Sequence, residues 1–91
     1  MNIEAEILLH NVFLNHKGEG YLLVGIISKG EIKNEAFLII NGQKVSMNKI
    51  KIQNDSKDNT VRIEFEVDRE ILPSIKWWKL FDKNIEVKNV L

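Results

Sequence analysis

Apolar and polar positions alternate along most of this chain. Ile3, Ala5 and Ile7 are separated by Glu4 and Glu6; Val61, Ile63, Phe65 and Val67 are separated by Arg62, Glu64 and Glu66. Ile50 and Ile52 alternate with Lys49 and Lys51, and Ile85 and Val87 with Glu86 and Lys88. Successive side chains of an extended strand point to opposite faces, so each run reads as a strand with one apolar and one wet face. Two further runs, Tyr21 to Ile27 and Phe37 to Ile40, are apolar on both faces. They read as strands covered on both sides, by the fold itself or by a partner chain.

Turn residues fall between the runs. Asn41-Gly42 separates Phe37–Ile40 from Gln43–Met47. Asn and Gly both tolerate positive φ, which a two-residue type I′ hairpin needs at both central positions. Lys17-Gly18-Glu19-Gly20 and Lys29-Gly30 mark two more reversals, and Asp55 to Asn59 a more open one. Six or seven short strands at this spacing predict a small barrel or sandwich. One segment departs from the pattern. Ile71, Ile75 and Trp78 follow helical spacing, and Pro73 fits a first helical turn. The spacing predicts a short helix or irregular insert near 70–81, running from Pro73 to Phe81.

Composition narrows the class. The chain has 91 residues, 44% of them hydrophobic and 29% charged, which suits one soluble globular domain over 1–91. Cysteine is absent. Disulfides, thiolate metal sites and a cysteine nucleophile are therefore excluded, and the cytoplasm is the expected compartment. The acidic, alternating start lacks the form of a signal peptide, and the longest apolar stretch, Ala36 to Ile40, is far too short to span a membrane. Thirteen Lys and Arg balance thirteen Asp and Glu, so the net charge is zero. That argues against a protein held mainly by nucleic-acid phosphates and leaves room for a local basic face.

Val12-Phe13, Gly18-Glu19-Gly20, Val24-Gly25 and Gly30-Glu31-Ile32-Lys33 form a recognisable set. It resembles the second, β-barrel domain of elongation factor Tu and related translational GTPases. Ile85 to Leu91 is similar to the closing strand of that domain. The likeness is dense from 12 to 40 and thin from 53 to 84. It implies a small closed antiparallel β-barrel and a contact with tRNA, ribosomal RNA or a protein of the translation apparatus. The chain departs from the family pattern at Asn34-Glu35-Ala36 and Lys88, and Arg69 to Phe81 is an insertion. The residues themselves support a barrel. Gly25 lies inside a strand, where glycine marks a bulge or close backbone approach, and a small barrel needs such a kink.

No catalytic constellation stands out. Gly20 and Gly25 have P-loop separation, but Ile26-Ile27 stands where Lys and Ser/Thr must bind phosphate and magnesium. His10 and His16 have no neighbours spaced to complete a metal site. Glu64, Glu66, Asp68 and Glu70 could pair for acid–base work or calcium, but the first three project from one strand face about 7 Å apart, which suits a solvated sheet face better. Lys44, Lys49, Lys51 and Lys57 form a modest basic cluster that could track RNA phosphates. The acidic strand could instead neutralise it across neighbouring strands. Trp77 and Trp78 point in different directions in any regular element, so one is expected in the core and the other at a surface. The expectation is thus a non-catalytic binding module, without cofactor or metal. Its candidate surface comprises Lys44, Lys49, Lys51, Lys57, Trp77 and Trp78. Its expected partners are RNA or a ribosome-associated protein, with no membrane and no DNA. The alternative is a protein–protein or assembly module unrelated to translation, self-associating through Phe37–Ile40 and the tryptophans.

Overall fold

The computed structural model describes residues 4–14, 20–68 and 79–90. It contains six strands: β1 (Ala5–Leu14), β2 (Gly20–Gly30), β3 (Ala36–Ile40), β4 (Gln43–Asp55), β5 (Thr60–Asp68) and β6 (Asn84–Asn89). They close into one antiparallel barrel in the order β1-β2-β5-β4-β3-β6. β3, β4 and β5 are joined by consecutive hairpins and β6 returns beside β3, which is a Greek key. The expected all-β closed barrel is therefore present. Closure satisfies the sheet edges that an open sheet of this size would leave bare.

The alternating runs put their apolar residues inside. Ala5, Ile7, Leu9, Leu23, Leu38, Val45, Ile63, Phe65, Val67, Ile85 and Val87 are all buried. Among the described residues no polar or charged side chain is buried. Six strands make a barrel narrow enough for side chains to fill it. Ile32, from the β2–β3 connection, plugs one end, and Leu80, just ahead of β6, packs against the core. Asn89 fastens the Ile32 end. Its Oδ1 accepts the Lys33 N–H at 2.8 Å and its Nδ2 donates to the Glu31 carbonyl at 2.9 Å.

The expected hairpin at Asn41-Gly42 is present, with both φ angles positive at 52° and 79° and Ile40 facing Gln43. Gly25 also has its expected role. It faces Leu9, and a Cβ there would run into the Leu8 carbonyl oxygen. Beside it the β1–β2 register shifts between Leu9 and Asn11. The open connection at 56–59 is a turn in which the Lys57 N–H donates to Asp55 Oδ1 at 3.0 Å.

One expectation changes, and one lies mostly outside the described residues. The runs Gln43–Met47 and Lys49–Ile52 are one strand rather than two, because a bulge joins them. Asn48 faces Glu66 but Lys51 faces Glu64, so β4 carries one extra residue, and Lys49 there adopts φ 51°. The helix expected over Pro73 to Phe81 falls mostly outside the described residues. Its described end has Lys79 in 3-10 conformation, followed by a turn. Lys83 N–H donates to the Leu80 carbonyl at 3.2 Å, and Asp82 N–H to that of Leu9 at 3.0 Å.

Candidate functional site

The sequence places a lysine cluster on the outer face of β4, and strand geometry decides what it becomes. Val45 and Met47 point inward, so Lys44, Ser46 and Asn48 point out. After the bulge Lys51 and Gln53 share the outer face with Glu64 and Arg62 of β5. Lys49 Nζ lies 3.7 Å from Glu66 Oε2, and Lys51 stands directly opposite Glu64. At the far end Arg62 Nη2 lies 3.3 Å from Asp55 Oδ2. Lys44 Nζ sits 5.0 Å from the centre of the Phe37 ring, within cation–π range.

The four lysines are thus not one stripe. Lys49 and Lys51 come together in mid-strand, each beside a carboxylate. Lys44 belongs to the β3–β4 hairpin and Lys57 to the turn at the other end of β4. Trp77, Trp78, His16 and Glu70 lie outside the described residues. His10 is exposed at the β1 irregularity, and no group of metal ligands forms among the described residues.

A feature beside the lysines emerges only from the pairing. On β2, Leu22, Val24 and Ile26 face Glu66, Glu64 and Arg62 in turn, so this apolar row lies outside the barrel. All three are half-buried. Phe13, which pairs with Leu22 on β1, is 52% exposed and extends the row. The outer surface from β1 to β4 therefore runs from an apolar row into a row of both charge signs. A shallow hollow lined by Val24, Lys51, Gln53, Arg62, Ile63 and Glu64 lies where the two rows meet. The apolar run Tyr21 to Ile27 was the signal for this face. Its outer half has no second layer of strands over it among the described residues.

The arrangement sets apolar side chains beside alternating charges on one face of the described residues. No family model, curated protein or solved structure matches the chain. The barrel therefore stands on its own geometry.

Proposed function

We propose that this chain is a non-catalytic binding module whose partner is a protein, engaged through the outer face of β1, β2, β5 and β4. One observation carries the reading: Lys49 and Lys51 stand against Glu66 and Glu64, while Phe13, Leu22, Val24 and Ile26 line the same face. Lysines beside carboxylates offer phosphates little net positive charge, so RNA gains little here. An apolar row with a rim of mixed charge instead resembles the surface of a non-obligate protein interface. The glycine pattern of residues 12–33, together with six-stranded closure, supports a domain of the translation-factor second-domain type. A protein of the translation apparatus in the cytoplasm is the partner class that follows.

The test measures binding of the purified chain to tRNA and to unstructured RNA at low and high salt, alongside co-sedimentation with ribosomes and translation factors. The proposal expects weak RNA binding that the double reversal Lys49→Glu, Lys51→Glu barely changes. It also expects protein association that Phe13→Asp weakens at least tenfold. Tight, steeply salt-dependent RNA binding abolished by the double reversal would establish the RNA reading instead.

A further inference from the structure

The β4–β5 arm outruns the rest of the barrel. β3 pairs with β4 only as far as Ala36 opposite Met47, whereas β4 continues to Asp55. From Asn48 onward one edge of β4 bonds to β5, and the other has no strand partner among the described residues. Ile52 lies on this stretch facing Ile63, the core side of the sheet, yet it is 42% exposed. Backbone donors and acceptors along an uncovered edge invite another strand.

We propose that this edge pairs with the same edge of a second copy of the chain, antiparallel about a two-fold axis centred on Ile52. A two-fold axis perpendicular to the sheet keeps core-side residues on one side, so paired residue numbers must sum to an even value. With Ile52 opposite its own copy, Ile50 meets Asn54, Lys51 meets Gln53 and Lys49 meets Asp55. The exposed Ile52 and its copy cover one another, and the facing charges, Lys49 and Asp55, are opposite. Centring on Lys51 sets two lysines face to face. Centring on Gln53 sets Ile52 against Asn54 and shortens the ladder to the end of the strand. The chosen register also links ion pairs already present, Lys49 with Glu66 and Asp55 with Arg62, into one chain of alternating charge across the interface. This pairing uses a strand edge and not the apolar row, so Phe13→Asp should leave it unchanged and tells it apart from the protein-binding reading, whereas Lys49 belongs to both.

Sedimentation equilibrium over a wide concentration range tests it on wild type and three variants. Wild type should form a reversible dimer. Ile52→Lys should weaken it at least tenfold, and so should Lys49→Asp, which sets Asp against Asp55. Adding Asp55→Lys to Lys49→Asp should restore part of the loss, since the charges facing across the interface are opposite again while each substituted residue stands beside a like charge, Glu66 or Arg62. Circular dichroism identifies any variant that fails to fold. In wild type alone, amide exchange at alternate residues of 50–54 should slow as protein concentration rises. A wild-type monomer at every concentration would overturn the proposal, as would a dimer whose affinity these substitutions leave unchanged or a concentration-independent exchange pattern at 50–54.

Discussion

Gly25 and Gly42 are glycines for different reasons, and their substitutions separate sterics from conformation. At Gly25 a methyl group would meet the Leu8 carbonyl, a backbone atom that moves only if β1 moves. Gly25→Ala should therefore cost about 3 kcal/mol, the upper part of the usual overpacking range. At Gly42 nothing lies within 4 Å of the missing Cβ, and the penalty is the positive φ of 79° alone. Gly42→Ala should cost about 1 kcal/mol, the usual excess for an L residue in the left-handed region. Urea denaturation of the two variants checks both values, and their order is the sharper test. Lys49 bears a similar conformational cost at φ 51°, set against a solvent-exposed ion pair. Lys49→Gly should come out stabilising by roughly 0.5 kcal/mol, since exposed pairs contribute less than the relief of that backbone strain.

At the scale of the element, β4 shows how much a sequence discloses. Val45 and Met47 are odd-numbered and inward; Ile50 and Ile52 are even-numbered and share the core side. A uniform strand would turn the second pair outward, so the change of parity already encodes one extra residue. The two runs look like separate strands only while that phase jump is taken for a break. β1 repeats the device: Ala5, Ile7 and Leu9 are followed by Val12 packed against the core, with the register shift beside His10. Deleting Lys49 should rotate either Ile50 and Ile52 or the N-terminal half of β4 out of phase. A loss of about 1 to 2 kcal/mol is expected, chiefly from the partly buried Ile50 and less from the exposed Ile52, readable in the urea midpoint. Asn41-Gly42 was legible outright, because two adjacent residues tolerant of positive φ specify the turn locally. The β5 edge that meets β4 was legible too, because the reversal at Asp55–Asn59 makes the two strands a hairpin; the edge that meets β2 was not. The hairpin sets the lysines against Glu64 and Glu66, the cross-strand neutralisation that the sequence offered as an alternative, while the non-local β2–β5 pairing adds the apolar row of the candidate face.

At the scale of the molecule, the barrel is a single sheet whose two ends must meet. β6 closes it by pairing with β1 through Ala5–Leu8 and with β3 through Ala36–Ile39. Asn89, at the end of β6, links this seam to the Glu31–Lys33 connection. Asn89→Ala removes both side-chain bonds and should cost about 1 to 2 kcal/mol, as two net hydrogen bonds do. Native-state hydrogen exchange should show the loss first in β6 and the 31–35 connection. Phe65, fully buried on β5, fills the interior from the opposite side. Phe65→Ala should cost about 4 kcal/mol in global unfolding, in line with other large-to-small core changes.

Cross-strand Hα–Hα and amide contacts in a nuclear Overhauser spectrum of the labelled chain test the closed, bulged sheet most directly. The structure predicts Ala5 beside Val87, Leu23 beside Phe65, and Asn48 with Glu66 followed by Lys51 with Glu64. Contacts between Ile50 and Glu64 in place of Lys51 and Glu64 would remove the bulge. The absence of every β1–β6 contact would show an open sheet and contradict the account.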